Sequence, residues 1–95
     1  MFVMVRHKVR DYEAWRPHFD AHADERKAAG CVGAHLFRSA DDPNEIVITM
    51  TWDDSRIDDA RAMVESEDVR KLMNEAGVID EPDVYFLSDL GRTPS

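Results

Sequence analysis

The sequence is poor in features that identify several common classes of protein. Only one of its 95 residues is a cysteine, Cys31, so neither an intramolecular disulfide nor a cysteine-based zinc site can form. No apolar run approaches the ~20 residues needed to span a bilayer. The N-terminus also lacks the basic and then apolar pattern of a signal peptide. We therefore expect a cytoplasmic protein with no membrane partner.

Positive charge is also scarce. The chain has 12 Lys and Arg against 20 Asp and Glu, a formal net charge of −8. Such a surface repels phosphate backbones at long range, and no element carries a basic stripe, so we expect no nucleic-acid partner. There is no glycine-rich phosphate loop, nucleophile elbow or dinucleotide fingerprint. We accordingly expect no bound cofactor of the ATP, NAD or flavin type.

The remaining composition is that of one small globular domain spanning residues 1–95. Hydrophobic residues make up 43% of the chain and charged residues 34%, which is typical of a folded domain. A chain of this length has a modest core of its own. Burial against a second subunit would therefore add to its stability.

Four apolar stretches predict β-strands. They are residues 2–9, 31–38, 45–52 and 84–87. In the first strand, alternation places His7 on the face of the valines and Arg6 on the opposite face. The second and third strands are apolar on both faces, unlike strands of a sheet with one solvated face. Both faces of the sheet are therefore predicted to be covered.

Helical periodicity predicts the segments between the strands. Asp11 is typical of an N-cap, and Pro17 divides the following segment into a turn at residues 12–15 and a main helix at residues 17–29. Gly30 is typical of a left-handed stop. Two shorter helices are predicted over residues 57–65 and 67–76.

The resulting element order is that of the ferredoxin-like split βαβ arrangement, an α+β fold with a four-stranded antiparallel sheet. Its helices cover one face of the sheet. Because the other face is also apolar, we expect a second copy to pack sheet against sheet, which gives a two-fold homodimer.

The segment from Asp11 to Gly30 places polar residues in an apolar helical stripe. Counted at 3.6 residues per turn from Trp15, the residues Phe19, His22 and Arg26 fall on one face. Imidazole titrates near neutrality, so His22 is the candidate general base. The donors of Arg26 suit a developing enolate or a substrate carboxylate.

Further candidate residues lie on the strands. His7 and His35 would converge with His22 as alternative bases, and Arg6 is a second candidate for holding an anion. Flat apolar walls for an aromatic substrate would come from Trp15, Phe19, Trp52 and Tyr85. The alternative interpretation is structural: the histidines bond to neighbouring polar groups, and the aromatic residues form the core.

Two other side chains have a candidate chemistry that the sequence does not favour. His18 and His22 have the i, i+4 spacing of metal ligands, but no third ligand accompanies them, so we expect no metal site. For Cys31 we expect a buried, reduced thiol, because no electropositive helix start lies beside it.

Several motifs along the chain together resemble one family. They are R-H-K-V, D-Y-x-x-W-R-P-x-F-D-x-H, A-G-C-x-G-A-H, D-D-P-N-E, T-W-D-D and A-G-V-x-x-x-P. This pattern resembles the small dimeric α+β barrel proteins of the antibiotic biosynthesis monooxygenase type, including a subgroup described as cyclases. The resemblance implies a ferredoxin-like domain that pairs into a dimeric α+β barrel.

The same resemblance implies a function. It implies a cofactor-independent monooxygenase or cyclase acting on a small aromatic or polyketide-like molecule, bound between the helices and the inner sheet. Haem-degrading members have an Asn on the first strand, a Trp on the second helix and a later His, which this chain lacks, so no haem is expected. The alternative function is a non-catalytic dimeric protein that binds a small hydrophobic molecule or serves in stress response.

Overall fold

One antiparallel sheet and four helices make up the computed structural model, which describes residues 1–95. The strands are β1 (Phe2–Lys8), β2 (Cys31–Arg38), β3 (Glu45–Trp52) and β4 (Asp83–Leu87). The helices are α1 (Tyr12–Ala21), α2 (Ala23–Ala28), α3 (Ile57–Glu65) and α4 (Glu67–Ala76), with a short 3₁₀ helix at Asp54–Arg56. The sheet order is β2-β3-β1-β4, so the predicted ferredoxin-like α+β fold is confirmed. None of the helices has the length and apolar character of a membrane span.

The two faces of the sheet have different environments. The inner face, covered by the helices, carries the buried side chains of Val3, Val5, His7, Ile46, Ile48 and Met50. The outer face is not covered within this chain. Its exposed hydrophobic residues are Phe37 (46% exposed), Tyr85 (52%) and Leu87 (39%).

A β-bulge changes the alternation at the start of β2. Cys31 pairs with Trp52 and Gly33 pairs with Thr51, so Val32 is an extra residue in this strand. Cys31 is therefore buried on the inner side, although strict alternation along β2 would place it with His35 on the outer face.

The first helix differs from the prediction at Pro17. Helix α1 continues through Pro17, and the chain turns instead at His22, whose φ of −104° and ψ of 18° separate α1 from α2. A proline here removes the N–H that would donate to the carbonyl of Glu13. Trp15 and Phe19 stack at 5.1 Å and pack against the core on either side of Pro17. Tertiary packing thus maintains the helix across the proline.

Gly30 connects α2 to β2 in a conformation that favours glycine. Its φ is +114°, and the Cβ of any other residue would lie 2.7 Å from Nε1 of Trp52. That indole is buried and donates from Nε1 to the carbonyl of Ala29 at 3.1 Å. Trp52 thereby fixes the turn between α2 and β2.

His7 is the one buried polar side chain of the core. It is 2% exposed, and its ring meets that of Trp15 edge to face at 5.5 Å. Its Nδ1 has no hydrogen-bond partner on another residue. Burial in this apolar environment lowers the pKa of His7 from its ordinary value of 6.5, because desolvation disfavours the charged imidazolium.

Replacement of Gly30 by Ala should destabilise the fold. The strained φ and the clash with Trp52 together should lower the free energy of unfolding by about 2 to 4 kcal/mol in urea titrations. Gly33→Ala is the matched control, since a Cβ at Gly33 has no neighbour within 4 Å. Equal losses in the two variants would contradict this account of Gly30.

The buried His7 should make the fold sensitive to mild acid. The unfolded chain binds a proton with the ordinary pKa of 6.5 and the folded chain binds it less well, so stability falls as the pH drops through about 6.5. The loss should be at most ~1.4 kcal/mol per pH unit. We expect His7→Leu to reduce the difference in unfolding free energy between pH 7.5 and 5.5. The control His35→Leu should show the wild-type difference. If His7→Leu also shows the wild-type difference, His7 is not the source of the acid sensitivity.

Candidate functional site

An apolar cavity lies between the inner face of the sheet and the helices. It has a volume of about 120 Å³ and opens to solvent. The sheet contributes Val5, Ile48 and Met50, and α3 and α4 contribute mainly aliphatic side chains and methionines. A mostly apolar cavity with few convergent polar groups is typical of small-molecule sites.

Five of the predicted site residues border this cavity. They are His7, Trp15, Phe19, His22 and Arg26. His18 borders it as well, although the helical wheel places His18 toward the polar side of the helix. Three of the four histidines therefore meet at one cavity.

His22 lies at the turn between α1 and α2, with one-third of its side chain exposed. Its Nδ1 atom is buried and has no hydrogen-bond partner. The nearest carboxylate, Oε2 of Glu25, is 3.7 Å away, which is too long for a hydrogen bond. The imidazole of His22 thus borders the cavity, and no hydrogen bond from another residue restrains its Nδ1.

Arg26 is held at the same turn by two contacts with Phe19. Its Nη1 donates to the Phe19 carbonyl at 2.7 Å, and its guanidinium lies over the Phe19 ring at 3.7 Å from the centroid. No carboxylate lies within ion-pair distance. Burial lowers the pKa of Arg26 from its ordinary value, through desolvation of its charge. The remaining guanidinium donors are available to an anion.

The aromatic residues of α1 form one wall of the cavity. Trp15 is buried, and its ring lies at 29° to that of Phe19. The ring of His7 meets Trp15 from the sheet side at 71°. This series of rings offers a flat surface on which an aromatic molecule can stack.

The other predicted site residues do not reach the cavity. His35 lies on the outer face and stacks on Phe37 at 4.1 Å, so the sheet separates it from His7 and His22. The predicted convergence of three histidines is wrong at His35, because this residue pairs with Thr49 on the outer face, whereas Leu36 pairs with Ile48 on the inner one. Tyr85 is also on the outer face, and Trp52 is occupied at the turn beside Gly30.

Arg6 is on the outer face as well, and it is paired with three carboxylates. Nη1 donates to Glu45 at 3.1 Å, Nη2 to Asp80 at 2.9 Å and Nε to Asp83 at 2.9 Å. The hydrogen bonds to Asp83 and Asp80 raise the pKa of Arg6 above its ordinary value. The side chain joins β1 to β3 and β4, and its charge is already balanced by carboxylates, so it is poorly suited to a substrate anion.

Helices α3 and α4 supply the cavity residues that sequence reasoning missed. They are Met63, Val64, Val69, Leu72, Met73 and Ala76. Most belong to apolar stripes at helical spacing, which predict burial without telling a packed core from a cavity lining. The sequence therefore predicted that most of these residues are buried, but not that they line a cavity.

Comparisons with known proteins agree with this architecture. The family model described as antibiotic biosynthesis monooxygenase matches residues 2–75. No curated protein sequence matches the chain.

Three solved structures illustrate the likeness of fold. A protein of Bordetella bronchiseptica, described as a candidate antibiotic biosynthesis monooxygenase, has a TM-score of 0.74 at 16% identity, over 94% of this chain and 95% of its own. Rv0793 from Mycobacterium tuberculosis gives 0.66 at 24%, over 96% and 95%. SnoaB from Streptomyces nogalater, a cofactor-independent oxygenase, gives 0.67 at 17%, over 99% and 96%.

At these identities the solved structures establish the fold alone. The family model adds a match in sequence, and it extends from β1 into α4, across the elements that enclose the cavity. On that match, the chain belongs to the antibiotic biosynthesis monooxygenase family.

Proposed function

We propose that this protein is a cofactor-independent monooxygenase or cyclase that acts on a small aromatic or polyketide-like molecule. The observation that carries the proposal is the open apolar cavity where two imidazoles, His7 and His22, meet the guanidinium of Arg26. Family membership supports it, as does the likeness in fold to SnoaB, a cofactor-independent oxygenase.

In the proposed mechanism His22 is the general base. Its imidazole, which borders the cavity, takes the proton of a phenol or enol. Arg26 holds the developing enolate, or a carboxylate of the substrate, with the donors that Phe19 leaves free. In the oxygenase, the electron-rich carbon of the enolate adds to dioxygen, and the resulting hydroperoxide loses water and leaves a new carbonyl group, so the substrate itself supplies the electrons. In the cyclase, the same carbon adds to a carbonyl carbon, and the alkoxide that forms takes back the proton from His22.

His7 and the aromatic wall orient the substrate in this proposal. Because burial lowers its pKa, His7 is neutral at pH 7 and accepts a hydrogen bond from a second hydroxyl of the substrate. Trp15 and Phe19 stack on the ring. A cavity of about 120 Å³ is close to the ~150 Å³ that accommodates benzene in another protein, so one ring enters and the rest of a larger substrate extends through the opening.

Removal of the base tests the mechanism. We expect His22→Ala to lower turnover at least ~100-fold with the fold intact, because a positioned base contributes about that much. The measurement is dioxygen uptake and product formation with a panel of phenols and enols, beside circular dichroism. His35→Ala, on the opposite face of the sheet, is the control and should keep its activity. Turnover of His22→Ala at the wild-type rate would exclude His22 as the base.

We further propose that two chains pair through the outer faces of their sheets. Phe37, Tyr85 and Leu87 are exposed there, and Phe2, Met4 and Val47 are only partly covered. Burial of such a surface against a second copy removes apolar area from water at about 25 cal/mol per Å². A two-fold contact of this kind leaves both cavities on the outside of the pair, under their own helices.

A charge on the outer face should separate the pair. We expect light scattering to give twice the chain mass of 10.9 kDa for the wild type and the single mass for Phe37→Asp. The control is Leu90→Asp, which alters a fully exposed leucine outside the sheet and should stay dimeric. A wild-type chain that remains monomeric at high concentration would rule out the proposed dimer.

The second candidate function is a dimeric protein that binds a small hydrophobic molecule without catalysis, or serves in stress response. One observation favours it: no carboxylate lies within hydrogen-bond distance of His22 to orient the imidazole, since Glu25 is 3.7 Å away. One measurement distinguishes the two functions: the fate of the bound aromatic molecule in the presence of dioxygen. A binding protein holds the aromatic molecule unchanged in the presence of dioxygen, and His22→Ala alters its affinity only.

A further inference from the structure

A second and larger cavity adjoins the apolar one. This cleft has a volume of about 590 Å³ and lies between α2, the start of β2 and the 3₁₀ helix. Its charged lining residues are Arg26, Lys27, Arg56 and Asp53. Arg26 borders both cavities, so the cleft and the apolar cavity are adjacent at this residue.

The charges of the cleft are unbalanced in favour of cations. Asp53 is the one carboxylate of the lining, and Arg56 is paired with Asp59 at 2.8 Å. Arg26 and Lys27 have no carboxylate within ion-pair distance. Two cations without an ion-pair partner therefore border one cleft, in a chain with 20 acids against 12 Lys and Arg.

Arg26 differs from the other cations in its burial. Three of the Lys and Arg residues are partly buried: Arg6, Arg26 and Arg56. Arg6 and Arg56 have carboxylate partners, and Arg26 has none within ion-pair distance. Partial burial of a guanidinium without a counter-charge is unfavourable unless an anion arrives to pair with it. The free donors of Arg26 and the ammonium of Lys27 are suited to that anion.

We propose that the ligand of this protein is an amphipathic aryl carboxylate, whose ring occupies the apolar cavity and whose carboxylate binds Arg26 and Lys27 in the adjoining cleft. This inference rests on the proposed function, which places an aromatic molecule in the apolar cavity. A single carboxylate fits better than a phosphate dianion, because the net charge of −8 opposes the approach of a more highly charged ligand. The planar fork of a guanidinium also matches a carboxylate.

Two small ligands of nearly the same size and shape test the proposal. 3-Phenylpropanoate and 3-phenylpropan-1-ol share the ring and the chain and differ in the carboxylate. We expect the acid to bind about tenfold more tightly than the alcohol in amide NMR titrations at low salt, with shifts both at Trp15 and at the cleft residues Cys31 and Gly33. Lys27→Gln should reduce this preference several-fold without changing the affinity for the alcohol.

The control variant is Lys71→Gln on α4. Lys71 is also exposed and without a carboxylate partner, but it borders neither cavity, so the preference for the acid should remain. Equal affinities for acid and alcohol, or an equal effect of Lys27→Gln on both, would overturn the carboxylate site and leave the proposed function standing. If neither probe shifts the amides around Trp15, the aromatic site of the proposed function fails together with this inference.

Discussion

The contact of Arg26 with Phe19 is the constraint on which the site depends. The chain turns at His22, and there the Phe19 carbonyl accepts from the N–H of His22 at 3.3 Å, three residues on, in place of the regular i+4 donor. Arg26, one turn later, satisfies that carbonyl through a charged hydrogen bond, a class worth about 1.5 to 3 kcal/mol. The same contact directs the guanidinium to the boundary between an apolar cavity and a polar cleft. The Arg26 side chain thus stabilises the irregular backbone at His22, and its guanidinium still has no carboxylate within ion-pair distance.

Arg6 and His7 are consecutive residues of β1, so the pleat of the strand places their polar side chains on opposite faces of the sheet. On the outer face, Arg6 is paired with Glu45, Asp80 and Asp83, and it joins β1 to its neighbouring strands. On the inner face, His7 has an unpartnered nitrogen and a neutral ring. The polar groups that lack a partner thus lie under the helices, and the opposite face has ion pairs and apolar surface.

Hydrophobic periodicity in the sequence was sufficient to predict the fold and the part of the candidate site that α1 and α2 contribute. The 3.6-residue spacing brought Trp15, Phe19, His22 and Arg26 to one surface, because tertiary packing preserved that stripe through Pro17 and past the break at His22. His35 could not be placed, because both faces of β2 are apolar in the sequence and alternation alone does not tell which face lies under the helices. The ion pairs of Arg6 and the charge imbalance beside Lys27 depend on residues distant in sequence. Such contacts are set by folding and leave no local pattern.

The two tryptophans have environments so different that they report on separate events. Trp15 borders the apolar cavity, whereas Trp52 is packed against Gly30 and hydrogen-bonded to the Ala29 carbonyl. Indole emission depends on polarity and on neighbouring groups, so occupancy of the cavity changes the fluorescence of the first ring and leaves that of the second unaltered. Loss of the native fold exposes both. The chain therefore contains an intrinsic optical probe together with its own internal reference.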